Sequence, residues 1–345
     1  MSKRARLRSR DLWLPLLVAV ILGALAADLV QDLGATSQPH PLPPTSLGTW
    51  PGTPEEGVQA VGSGPIPAGL LPAATGMMAA LEDWRDAAFE DDVRVSVIAH
   101  DPLGRWGFYD ADTHELRVVG DSGGVIGAMT VVHELAHALQ DQHLALGART
   151  VPTDDADAAL AWRAMVEGEA MLASAELTGV PMSAHGDLPS QRVLGDDAAE
   201  SLFLYMDGSA FVAAVRDARG NAGLSEAWDA PPTATVQVLD PSVYLEGVKL
   251  QPAEALGPGD RAGAYALWRL LGHTSEGRRE GRAIAKAWRG DTRNAETGTW
   301  VVRVEAPLDA RLLALGPDAL AAAGHATPTA TLRHPGEVVL QWSLP

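Results

Sequence analysis

His133 and His137 stand four residues apart, with a glutamate directly after the first, in the run Val131-Val132-His133-Glu134-Leu135-Ala136-His137-Ala138-Leu139. No proline or glycine interrupts this run, and apolar residues frame it, so it predicts a helix. Residues four apart on a helix are offset by about 40° and rise about 6 Å. Both imidazoles can therefore reach one metal ion from the same face. Glu134, one position on, can point toward a water on that metal instead of the metal itself. Zn²⁺ acidifies such a water, and a carboxylate takes its proton. One Zn²⁺ per chain is the expected cofactor, with His133 and His137 as ligands and Glu134 as general base.

A zinc site of this kind needs a third protein ligand. Glu167, in Val166-Glu167-Gly168-Glu169-Ala170, lies thirty positions after His137 on the next predicted helix. Two helices joined by a loop can lie antiparallel and bring it opposite the histidines. His143 is the alternative. It completes the spacing of the longer pattern HExxHxxGxxH, but Gln140 stands where that pattern has a turn-forming glycine. A continuing helix carries His143 about 120° away from the metal side. Glu167 is the preferred ligand. Glu169 lies about 200° around the same helix, so only one of the two glutamates faces the metal. The other is expected to be a solvated surface carboxylate.

The 345-residue chain carries a net charge of −18 and no cysteine. Lys3, Arg4, Arg6, Arg8 and Arg10 against Asp11 leave four positive charges in the first 26 positions, so the remainder carries −22. Such a surface repels nucleic acid. The absence of cysteine excludes a disulfide framework, a thiol nucleophile and a cysteine zinc site. The basic start leads into residues 12–27, an uncharged stretch followed by Asp28. Residues 1–27 thus have the layout of a signal peptide or a membrane anchor, and either places the chain outside the cytoplasm. Residues 28–72 contain Pro39, Pro41, Pro43, Pro44, Pro51, Pro54, Pro65 and Pro67 and are expected to form an extended tether.

Residues 73–345 are expected to fold as one α+β domain, with a small N-terminal sheet, the helix bearing the two histidines and a mostly helical C-terminal half. Apolar spacing predicts helices near 77–89, 125–143, 158–177, 198–219, 262–289 and 308–323. Strands are predicted at 93–98, 106–109, 116–119, 300–304 and 337–342, with 116–119 as an exposed sheet edge. Asp154-Asp155-Ala156-Asp157 reads as a helix N-cap rather than a calcium loop.

These residues resemble the zincin metallopeptidases, specifically the branch whose third zinc ligand is a glutamate. Thermolysin-like proteases carry a similar HELTHAxxD run, which Asp141 also matches, and zinc aminopeptidases present their ligand in a segment similar to Glu167-Gly168-Glu169-Ala170. A closer resemblance is to exported prokaryotic proteins with the motif HELxHALQDQH. Their GFYD, VEGxA, PPxSTEQ-like and GWxGD-like segments are similar to Gly107-Phe108-Tyr109-Asp110, Glu167-Gly168-Glu169-Ala170, Pro231-Pro232-Thr233-Ala234-Thr235 and Ala287-Trp288-Arg289-Gly290-Asp291. This chain departs from them at Val236 and Asp240, where a glutamate and a histidine are expected. It departs from the thermolysin-like pattern at Met171, where an aspartate supports a ligand histidine.

The resemblance implies a zincin-like fold and an exported or membrane-tethered zinc metallopeptidase acting on peptide or protein substrates. It also implies a second electrophile for the oxyanion, for which Tyr205 is the first candidate and His185 the second. The departures favour one alternative, a zincin-fold protein that binds metal or a partner outside the cytoplasm without hydrolysis.

Overall fold

The computed structural model describes residues 57–61, 69–99, 101, 107–119, 124–146, 155–180 and 196–344. The basic leader, His185, Asp154 and most of the predicted tether lie outside the described residues. Within them the chain is α+β, and its contacts divide it into two compact units. No described helix is long and apolar enough to cross a membrane.

The first unit opens with β1 (Val58–Ala60), α1 (Leu70–Arg85), β2 (Val93–Ile98), β3 (Gly107–Asp110), β4 (Glu115–Val119) and α2 (Gly124–Leu144). It also takes α3 (Ala156–Thr178) from Val166 onward, α4 (Asp196–Leu202) and a π-helical turn, Phe203–Asp207. The sheet order is β1-β2-β4-β3, with β1, β2 and β4 parallel and β3 antiparallel to β4. Alternation sets which face is buried: Val93 and Val95 on β2 and Leu116 and Val118 on β4 point into the core, while Arg94 and Arg117 point out. On α2, Ala128, Val131, Val132, Leu135, Ala138 and Leu139 form one buried stripe against Leu70, Ala74, Met77 and Leu81 of α1. The stripe leaves His133, Glu134 and His137 on the flank of the helix, half-buried.

Two expectations need correction here. Residues 116–119 are not the sheet edge: β4 is flanked on both sides, and β3 is the edge strand. Residues 58–60, assigned to the tether, form edge strand β1, paired with β2 from Val58 opposite Val93.

The second unit holds residues 155–165 of α3 and, from Ala210, most of α5 (Gly208–Asp229). α6 (Thr235–Leu239), α7 (Pro241–Leu245), α8 (Gly263–Leu271) and α9 (Ser275–Lys286) follow. Then come β5 (Trp288–Asn294), β6 (Thr299–Val304), α10 (Leu308–Ala322), β7 (Ala326–His334) and β8 (Glu337–Ser343). The strands form an antiparallel sheet in the order β5-β6-β8-β7, packed against α10. The half expected to be mostly helical thus carries a full sheet. The helix expected over 262–289 breaks at 272–274, and from Trp288 the chain is a strand.

The two segments ending in Thr235 and Asp291 meet around Asp157. Asp155 caps α3 by accepting from the Ala158 N–H at 3.0 Å. Asp157 is buried and accepts from the Thr235 N–H at 3.1 Å and from its hydroxyl. Asp291 is also buried and accepts from the N–H groups of Ala262 and Gly263, both at 3.1 Å, and from the Trp300 indole. Burial pushes the Asp157 carboxyl up to about 7, against the opposing pull of Thr235 and Arg261, and the Asp291 carboxyl up to about 6.

An unfolded aspartate titrates near about 3.9. The folded chain therefore binds more protons than the unfolded one from about pH 4 to pH 7, and stability falls as pH rises through that window. The contribution is fully present below about pH 4 and gone above about pH 7. In thermal unfolding of the full chain, Asp157→Asn is expected to flatten this decline. Parallel wild-type and variant curves would contradict the assignment.

Candidate metal centre

The flank of α2 brings the His133 and His137 Nε2 atoms to 3.1 Å from each other. Glu167 Oε2, from α3, lies 3.4 Å from the first and 3.3 Å from the second. The three side chains are 15%, 14% and 27% exposed, so the cluster is half-buried. Ligand atoms held about 2.0–2.1 Å from a tetrahedral zinc lie about 3.3 Å apart. The three observed separations match the edges of that tetrahedron. Among the described residues, these three form the group whose ligand atoms gather closely enough to hold one metal ion.

Glu167 Oε2 is buried and makes a hydrogen bond to neither imidazole. Burial alone would lower the His137 pKa, but the Glu167 carboxylate overrides it and pushes it up to about 9. Burial would likewise raise Glu167, yet the imidazoles hold its carboxyl well below the usual carboxylate range.

Gly168 explains how Glu167 reaches this place. A Cβ on Gly168 would stand 2.1 Å from the Gly208 carbonyl carbon and 2.5 Å from the Ser209 nitrogen. The helix and the chain leaving the π turn touch backbone to backbone. Tyr205 sits within that turn, its ring 5.8 Å from the His133 ring at an angle of 63°. Short π-helical insertions are frequent at functional sites.

Glu134 is aimed by the sheet. Its Oε2 accepts from the backbone N–H of Tyr109 on edge strand β3 at 2.8 Å. At the other end of the same residue the Tyr109 hydroxyl donates to Asp141 Oδ2 at 2.9 Å. Burial and the Asp141 carboxylate push the Tyr109 phenol up, so it remains a donor. Glu134 and Asp141 are seven residues apart on α2, two turns along one face, and Tyr109 spans both. His114 Nδ1 joins Asp141 Oδ2 at 2.9 Å. Gly107 permits the close approach of β3, because a Cβ there would meet Thr130 Cγ2 at 3.0 Å.

The fold thus brings together His133, Glu134, His137, Glu167 and Tyr205. His143 points away, with Nε2 at 2.9 Å from the Ala88 carbonyl oxygen. Glu169 is not a solvated surface carboxylate: it is 3% exposed and paired with Arg85. Sequence reasoning also missed Tyr109, although its place beside a β-turn in a short strand next to α2 was visible. No protein family, curated protein or solved structure matches this chain.

Proposed function

We propose that the protein is a zinc metallopeptidase of zincin-like fold, exported or held at a membrane by its N-terminal segment, that hydrolyses peptide or protein substrates outside the cytoplasm. The observation that carries this reading is the spacing of His133 Nε2, His137 Nε2 and Glu167 Oε2, which lie 3.1, 3.3 and 3.4 Å apart, the last a buried oxygen without a hydrogen-bond partner. Two imidazoles and one carboxylate suit zinc, and leave an open position for chemistry. When bound there, zinc supplies a Lewis acid that polarises a carbonyl and lowers the pKa of water.

The chain's own residues supply the rest. Glu134, held by the Tyr109 N–H, accepts a proton from the attacking water at its carboxylate and returns it to the leaving amine. Tyr205, whose ring lies 5.8 Å from that of His133, donates its hydroxyl to the developing oxyanion in this reading. The edge strand β3 runs beside Glu134, where an extended peptide could pair with a sheet edge. The net charge of −18 argues against nucleic acid as a partner.

Metal analysis of the purified full chain tests the reading. One zinc per chain is expected in the wild type, absent from Glu167→Ala and retained in His143→Ala. Zinc lost from His143→Ala instead would replace the third ligand. No zinc in the wild type after reconstitution would remove the enzyme reading altogether.

Val236 and Asp240, standing where the resembled proteins carry a glutamate and a histidine, support a second reading: a metal-binding or partner-binding module without hydrolysis. Val236 is buried, and Asp240 caps α7 by accepting from the Ser242 N–H at 3.3 Å.

A further inference from the structure

Arg85 at the end of α1 and Glu169 on α3 are 1% and 3% exposed and form an ion pair through the guanidinium Nε. Removing two charges from water costs several kcal/mol per ion, and an apolar pair of similar size is often as stable. Stability alone is therefore a poor account of why these two charges lie in the core of the first unit.

The other Glu169 oxygen gives a better one. Gln140, 1% exposed, donates its amide Nε2 to Glu169 Oε2 at 3.1 Å and to the Val166 carbonyl oxygen at 3.0 Å. A carboxylate and a carbonyl both accept, so only the NH₂ end of the Gln140 amide can face them. The amide oxygen must then face the other way, where it lies 2.9 Å from His137 Nδ1. A carbonyl oxygen there requires a proton on Nδ1, which leaves Nε2 to point at His133 and Glu167. The Val166 carbonyl belongs to the peptide bond leading into Glu167, so Gln140 touches the chain at both of these metal-ligand positions.

We propose, resting on the metal-centre reading above, that Gln140, Glu169 and Arg85 are positioning residues that fix the tautomer and ring angle of His137 for metal binding. Arg85 occupies Glu169 Oε1 and aims Oε2 at Gln140. Glu169 and the Val166 carbonyl then prevent the Gln140 amide from flipping. A flipped amide would present NH₂ to Nδ1 and drive the proton onto Nε2, placing a donor where a metal ligand is needed.

The test is zinc competition against a chromogenic chelator on the full chain, with the melting temperature of the zinc-free protein measured alongside. Gln140→Leu keeps the bulk and removes the acceptor. Loss of such an outer partner weakens metal binding by about 10–100-fold, and that rise in Kd is expected with the zinc-free protein still folded. Glu169→Gln, equal in shape but able to donate to the amide, is expected to weaken zinc binding in the same direction, and serves if Gln140→Leu does not fold.

In the zinc-loaded wild type the His137 Nδ1 proton should give a slowly exchanging nuclear magnetic resonance signal, lost in Gln140→Leu. A purely structural role would lower the melting temperature and leave Kd and that signal unchanged. Wild-type Kd in both variants overturns the relay alone. Failure of the wild type to bind zinc overturns the metal centre itself.

Discussion

Glu134→Gln is expected to cut turnover by orders of magnitude while leaving the metal in place. The substitution keeps the shape of the side chain, and the glutamine amide oxygen can still accept from the Tyr109 N–H that now lies 2.8 Å from Glu134 Oε2. It removes the capacity to take a proton. General-base catalysis by one side chain contributes roughly 10²–10⁴-fold, so kcat should fall by that factor on any peptide the wild type cleaves. Zinc content should stay at one per chain, because Glu134 is not among the three clustered ligand atoms. Activity preserved in this variant would remove Glu134 from the mechanism. A wild type that holds zinc but cleaves nothing in a broad peptide library would favour the binding-module reading.

Gly168→Ala should have the second large effect. The added methyl would meet the Gly208 carbonyl carbon at 2.1 Å, its oxygen at 2.5 Å and the Ser209 nitrogen at 2.5 Å. All three are backbone atoms, so no side-chain rotation relieves the clash. Overpacking of this kind costs about 1–3 kcal/mol, and more where backbone must move. For a chain of this size each kcal/mol lowers Tm by about 2–4 °C. The displaced segments are those bearing Glu167 and Tyr205, so weaker zinc binding should accompany the lower Tm. An unchanged Tm with wild-type zinc affinity would mean that the close approach at Gly208 has no part in building the site.

The sequence made the cluster of His133, His137 and Glu167 legible because that part of the site is local geometry. A spacing of four on an unbroken helix fixes His133 against His137, and Glu167 comes from the next helix in the chain. Glu169 was readable too, from a signal interpreted the wrong way. It falls on the apolar stripe of α3 with Val166, Ala170 and Ala173, all buried. Arg85 extends the stripe Leu70, Ala74, Met77 and Leu81 in the same manner. A charge on an apolar stripe calls for a buried partner of opposite sign, and each of these is the other's.

The sheet edge was a harder problem. Leu116 and Val118 alternate as well in a central strand as in an edge one, and strand order depends on pairing across many residues. The second sheet was missed in part for a different reason. β7 is almost wholly exposed, so it has no apolar alternation, and its Pro328 is tolerated only because the strand lies at an edge. The break between α8 and α9 did carry a local mark. Thr274 caps α9 by accepting from the Gly277 N–H at 2.9 Å, in the segment Thr274-Ser275-Glu276-Gly277.

The hydrogen bond from Tyr109 to Glu134 comes from the main chain, and this gives the two ends of that residue different mutational tolerances. Every amino acid except proline has an N–H to offer, so the aim of Glu134 is insulated from most point mutations at position 109. It depends on the path of the strand, not on the identity of the side chain. The phenol that reaches Asp141 has no such protection. In a diverging lineage the aim of the carboxylate could therefore outlast the tyrosine that supplies it.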